Sequence, residues 1–255
     1  MLPFEIAIFA VAALFIYFYF SVWRIRGAAR RILESMRKNF PRERDIHVIG
    51  PESIPGDTAG KYAEARAAIE GLGFSFVCFA EDETFTRANG ITVPFQYFRN
   101  EKGDVKVATY FPQRVGYMIY DFMTELSDGR QITTNNATMA AKITAPPIFV
   151  RKHLPADTLP SEILGAHRVQ IEKTLKDSPG ITCSTAVTPD AILEKYRRYS
   201  RIGYEFHRDR GWISLEELLG LSPRGSEASA RKIYAAIQKM LRDEDEAMRR
   251  NPSSH

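Results

Sequence analysis

Residues 91–107, ITVPFQYFRNEKGDVKV, and 115–134, VGYMIYDFMTELSDGRQITT, decide how this chain folds. In the first stretch Ile91, Val93, Phe95 and Tyr97 recur with period two, Asn100 to Gly103 supplies turn residues, and Val105 and Val107 resume the alternation. That pattern predicts consecutive strands joined by a turn. From Val115 to Met123 both faces are apolar or aromatic, which suits a central strand covered on both sides. Asp128 and Gly129 predict a tight hairpin, because glycine accepts a positive φ without a Cβ clash, and Gln131 to Thr134 read as the returning strand. Hairpins join antiparallel neighbours, so the expected fold is α+β with a mainly antiparallel sheet packed with helices.

Upstream, Asp57 or Thr58 is placed to cap a helix whose apolar face is Tyr62, Ala65, Ile69 and Leu72, and a strand follows from Phe74 to about Ala80. Downstream, a helix from about Ser161 to Lys176 presents Leu164, His167, Ile171 and Leu175, and Ile181 to Val187 reads as a last strand. Thr188 followed by Pro189 marks a helix start. The remainder reads as helical to about Arg250, with breaks near Gly211 and around Gly220 to Gly225. The expected divisions are an α+β domain over 61–187, a helical C-terminal region over 188–250 and a disordered tail over 251–255. Pro41, Pro51, Pro55, Gly56 and Gly60 make 41–60 an expected linker.

The N-terminal end has a different character. Ile6 to Trp23 holds eighteen residues without a charge, close to the roughly 20 that cross a hydrocarbon core, and Tyr17, Tyr19 and Trp23 form an aromatic belt at its far end. The expectation is one transmembrane helix over 1–23, uncleaved because Met1 to Glu5 lacks the basic residues of a signal peptide. Basic residues resist translocation, so the N-terminus is expected outside and the rest cytoplasmic, as in a single-pass protein of the cell (inner) membrane. Over 24–40, Ile25, Ala28 or Ala29, Ile32, Leu33, Met36 and Phe40 recur at helical spacing between arginines. Such a basic amphipathic juxtamembrane helix suits the lipid bilayer surface, with Trp23, Arg24, Arg26, Arg30, Arg31, Arg37 and Lys38 as expected contacts to anionic lipid headgroups.

Charge distribution narrows the function classes. The net charge of +4 over 255 residues comes from residues 24–44, which carry eight basic against two acidic side chains and leave 27 basic against 29 acidic elsewhere. A chain acidic outside one segment lacks the broad basic footprint of a nucleic-acid binder. The two cysteines, Cys78 and Cys183, stand in apolar or β-branched surroundings without metal-ligand spacing. No cofactor or metal set is expected.

Chemistry-bearing residues are dispersed. Gly71 and Gly73 begin a dinucleotide spacing that ends at Phe76 and runs from helix into strand, the wrong order for a phosphate loop. His207, Arg208 and Asp209 spell a kinase catalytic triplet, but Ser214 stands where the metal-binding asparagine belongs. His167, on an apolar helix face, reads as a core histidine, while His153 and His47 fall in loop-like stretches. Asp121 and Glu125 share a strand face about 13 Å apart and read as solvated. Between Lys195 and Arg210 cations interleave with Tyr196, Tyr199, Tyr204 and Phe206, so Lys195, Arg197, Arg198 and Arg201 form a candidate patch for anionic surfaces.

Residues 216–241, EELLGLSPRGSEASARKIYAAIQKML, resemble the first two helices of a J-domain: a Leu-rich turn, a Gly-Leu-Ser-Pro corner and a basic helix carrying Arg231, Lys232 and Tyr234. The family's His-Pro-Asp triplet, which stimulates a heat-shock chaperone, belongs eight to ten positions beyond the tyrosine. Arg242, Asp243 and Glu244 stand there, so the resemblance over 216–244 implies no such stimulation. Without an assembled catalytic set, the expected function is a membrane-anchored interaction or scaffold module with a protein partner. A dispersed-site membrane-associated enzyme and a J-like accessory of a chaperone system are the alternatives.

Overall fold

The computed structural model of the protein describes residues 22–138, 143–185, 188–221 and 226–250. Eight strands form one mixed sheet: β1 (Ile46–Ile49), β2 (Phe74–Asp82), β3 (Phe95–Asn100), β4 (Lys106–Tyr110), β5 (Ile119–Leu126), β6 (Gln131–Asn135), β7 (Phe149–His153) and β8 (Cys183–Ser184). β1 to β7 lie in sequence order, antiparallel except for the parallel pair β6 and β7, and β8 pairs with the end of β5. The described helices are α1 (residues 22–39), α2 (Ala59–Glu70), α3 (Glu83–Asn89), α4 (Pro160–Lys176), α5 (Pro189–Asp209), α6 (Leu215–Leu221) and α7 (Glu227–Arg250).

The expected transmembrane helix over 1–23 is corrected. Among the described residues no helix is long and apolar enough to cross a membrane. From Arg24 onward a charged side chain recurs within every turn or two of α1, and each is expensive to place in hydrocarbon. Positions 1–21 of that expected span lie outside the described residues, as do the expected tail at 251–255, the last two positions of the expected strand Ile181–Val187 and the corner at 222–225. The fold is α+β with a mixed eight-stranded sheet.

The chain divides into two compact units, Phe40–Phe206 and the residues on either side of it. In the first, the sheet has apolar cores on both faces. Ile69 of α2 and Ile163 and Leu164 of α4 pack with Phe74, Phe98, Val107 and Phe122 on one face. Ile192 and Leu193 of α5 pack with Ile46, Cys78, Ala80, Tyr97 and Ala108 on the other. Burying a side chain of this size stabilises by about 1.5–3 kcal/mol, so each face holds its helices by apolar area.

Local chemistry sets the element ends. Thr188 accepts from Ala191 N–H at 3.3 Å and Pro189 opens α5, as the sequence predicts. The hairpin between β5 and β6 is one residue longer than a two-residue turn. Gly129, at φ 87°, donates to Leu126 O, and Leu126 N–H closes on Arg130 O. That is a three-residue loop with its glycine in the left-handed region. The expected linker over 41–60 contains β1 and a single 3-10 turn, Pro51–Ser53. β1 escapes a pattern search because Ile46 and Val48 are too few apolar positions to show a period, and pairing with β2 makes the strand.

The second unit is helical. α1 buries Ala29, Leu33 and Met36, one stripe of the apolar face expected from spacing. α5 ends in a Schellman arrangement: Gly211, at φ 78°, donates to Arg208 O, and Trp212 N–H returns to His207 O. Ser214 and Glu217 form a capping box on α6, and Ser226 accepts from Ser229 N–H at the start of α7.

Candidate functional site

Side chains directly opposite on neighbouring strands share a face, and so do residues two apart on one strand. The register sets Tyr97, Ala108, Asp121, Asn135 and His153 opposite one another across β3 to β7, in one row. Tyr110 lies two residues along from Ala108, and Arg151 two residues before His153. This row occupies the sheet face on which α5 packs, since Tyr97 and Ala108 belong to the core cluster of Ile192 and Leu193.

Three members are wired together. Asn135 Nδ2 donates to Asp121 Oδ1 at 2.9 Å, and His153 Nδ1 lies 2.8 Å from Asn135 Oδ1. The same Oδ1 accepts from Ala137 N–H at 3.1 Å, which identifies it as the amide oxygen. His153 therefore donates through Nδ1, and burial together with the nearby Arg151 charge lowers its pKa and favours the neutral ring, leaving Nε2 as an acceptor.

Asp121 is the centre of the electrostatics. Burial pushes its carboxyl up to about 6, against the opposing pull of the Asn135 hydrogen bond and of Arg151. Its second oxygen accepts no hydrogen bond among the described residues. Tyr97 and Tyr110 are both pushed up, by burial first and with Asp121 adding to it, and neither hydroxyl has a hydrogen-bond partner among the described residues. Tyr196 of α5 is pushed up to about 12 by burial, and it donates to Asp82 at 3.3 Å. Asp121, Tyr110 and Tyr196 nevertheless keep part of their surface accessible. We read this combination of desolvation and residual access as the floor of a recess.

Rings and a cation border it. Phe95 lies 5.0 Å from Tyr110, 6.2 Å from Tyr196 and 6.3 Å from Tyr97 between ring centroids. On the β7 side the Arg151 guanidinium sits 4.8 Å from the Phe149 ring centroid and donates no hydrogen bond among the described residues. The set offers acceptors at Asp121 and His153, hydroxyls at Tyr97 and Tyr110, a fork of N–H donors at Arg151 and an aromatic wall. A carboxyl titrating near 6 also gives or takes a proton close to neutrality.

The residues singled out from the sequence fall elsewhere. On α1, Trp23, Arg24, Arg26, Arg31 and Lys38 are exposed, Arg30 pairs with Glu34, and Arg37 donates to Glu244 at 2.6 Å and lies 5.5 Å from the Trp212 ring centroid. Lys195 and Arg198 both hold the buried carboxylate of Glu125, Arg197 donates to Ile46 O at 2.6 Å, and Arg201 is exposed. Three of the four cations in the α5 patch thus serve contacts inside their own unit. His167 is fully buried between Thr124 and Thr134, each 3.1 Å from a ring nitrogen. Asp121 and Glu125 share a face as expected but are desolvated rather than solvated: one lies in the recess, the other is buried under two cations.

Asp45, His47 and Glu83 bring metal-ligand atoms within 4.8 Å of one another. Arg87 already pairs with Asp45 at 2.6 Å and with Glu83 at 3.2 Å, which supplies the positive charge that such a cluster needs. The J-like stretch comprises α6 and α7, and Arg242, Asp243 and Glu244 lie inside α7 rather than beyond it. Asn135, Tyr97, Tyr110 and Arg151 carry no motif, and only strand register reveals that they share a row with Asp121. No protein-family model matches this chain, and no curated protein or solved structure matches it either.

Proposed function

We propose that the sheet unit binds a small polar ligand in the recess around Asp121. The observation that carries this reading is the row of polar groups without protein partners on one sheet face: the free oxygen of Asp121, the hydroxyls of Tyr97 and Tyr110, and the guanidinium of Arg151. Arg151 is exposed and Asp121 and Tyr110 are partly accessible, so a ligand's polar groups can reach these atoms and pair with them. Several such groups around one strongly shifted carboxyl are the pattern of a site kept ready for a ligand. The expectation of a scaffold module rested on the anchor, the basic collar and the absence of an assembled catalytic set along the chain; strand pairing brings together polar groups that chain order keeps apart.

Thermal unfolding of the full chain against sugars, organic acids, amino acids and nucleosides tests the proposal. One class is expected to raise the melting temperature by a few degrees, since ligand at a hundred times its Kd stabilises by about 2.7 kcal/mol. The rise is expected to vanish in Asp121→Asn with Arg151→Gln. A rise that survives both substitutions, or no rise with any class, defeats the reading.

A further inference from the structure

We infer that the ligand of this recess is a small zwitterion whose ammonium group meets Asp121 and whose carboxylate meets Arg151. The inference rests on the reading of the recess as a binding site and adds the ligand's chemistry to it. The first support is the pair of opposite charges. Asp121 on β5 and Arg151 on β7 stand two strands and two residues apart, about 12 Å between backbones, with their side chains on the same face. Each is close enough for its charge to act on the other's titration, yet no hydrogen bond joins them. A ligand with only a positive charge is opposed by Arg151, and one with only a negative charge by Asp121. A molecule carrying both satisfies each with its complement.

The second support is the distribution of rings. Phe95, Tyr97 and Tyr110 cluster on the Asp121 side beside Tyr196, whose ring already faces Arg44 at 5.6 Å, and ring faces attract a cation that has been taken out of water. On the opposite side the Arg151 guanidinium lies against Phe149, and a guanidinium held against a ring keeps its N–H edge for planar, two-point recognition of a carboxylate. His153 Nε2 and the two tyrosine hydroxyls take or give the remaining hydrogen bonds of an ammonium group, which has three donors. The Asp121–Asn135–His153 chain fixes these acceptors before the ligand arrives, so little ordering remains to oppose binding.

Calorimetric titration of the full chain with matched probes tests this: γ-aminobutyrate, butylamine and butyrate as one set, and L-alanine, ethylamine and propionate as a second. At least one zwitterion is expected to bind ten-fold or more tightly than either of its singly charged counterparts. Asp121→Asn, which keeps the Asn135 hydrogen bond, and Arg151→Gln are each expected to weaken it at least ten-fold, and Tyr110→Phe a few-fold with the melting curve unchanged. If an amine, a carboxylate or a neutral sugar binds as tightly as its zwitterion and depends on Asp121, the charge assignment falls while the recess stands as a binding site. If no probe or sugar responds to Asp121→Asn, both readings fall.

Discussion

Asp121 and His167 lie on opposite faces of the sheet, and burial holds both toward their neutral forms. The Asp121 carboxyl moves from its ordinary 3.8 to about 6. The fold therefore binds this proton more tightly than the open chain does, and stability falls as the pH rises from 4 to 6. Asp121→Asn is expected to stabilise the chain by about 1–2 kcal/mol at pH 7.5, the shift being discounted for partial access, and to change little at pH 4. Guanidinium denaturation at the two pH values measures the difference. His167 moves the other way, from 6.5 to about 4, because burial disfavours the charged ring. The open chain takes up a proton below 6.5 that the fold refuses, so stability is lost as the pH falls from 6.5 toward 4, by on the order of 3 kcal/mol. His167→Gln is expected to lower stability at pH 7.5 and to close that gap with the unsubstituted chain by pH 4.5, read from the same denaturation curves. The core role of His167 is legible in the sequence, because an apolar helix face surrounds it. The recess role of Asp121 is not, because alternation identifies a face and says nothing of what covers it.

At the scale of elements, α5 is bound to the β1–β2 edge by more than apolar contact. Arg44 donates to Ser200 at 2.7 Å and pairs with Asp82, which is almost fully buried. Asp82 also caps α3 through Phe85 N–H at 3.1 Å and accepts from Tyr196. One carboxylate thus joins a strand end, a helix start and the long helix across the sheet. Removing one side of a buried, hydrogen-bonded ion pair strands the other, and Asp82→Ala is expected to cost about 3–5 kcal/mol in chemical denaturation. The surface pair Arg37–Glu244 has the same chemistry with both side chains near half exposure. Glu244→Ala is expected to cost under about 1 kcal/mol, because solvent screens such a pair and holding two long side chains costs entropy. The interleaved cations of α5 look alike along the chain. Packing divides them: Lys195, Arg197 and Arg198 face groups of their own unit, while Arg201 remains exposed.

At the scale of the whole molecule, the two thiols measure how cooperatively the sheet opens. Cys78 lies in the core between the sheet and α5, with its thiol pushed up to about 11 by burial, whereas Cys183 sits half-buried on the two-residue strand β8. A thiol reagent is expected to modify Cys183 at low opening free energy and Cys78 only with global unfolding. Labelling rates compared with the denaturation free energy check this, and fast labelling of Cys78 contradicts the assigned core. Period and capping are local properties of the chain, and they were enough for the α+β class, the strand that begins at Phe74, the meander ending at Thr134, the cap at Thr188 and the apolar stripe of α1, but not for α3, which interrupts the strands at Glu83–Asn89. The sequence by itself did not determine β1 or β7, which are short and lack a period of their own, and its expected transmembrane helix finds no counterpart among the described residues. Tertiary structure alone decided the recess: Tyr97, Asp121, Asn135 and His153 are far apart in sequence and meet only because strand register carries them to one row. Register is set by the pairing of whole strands, a property that no single stretch of residues contains.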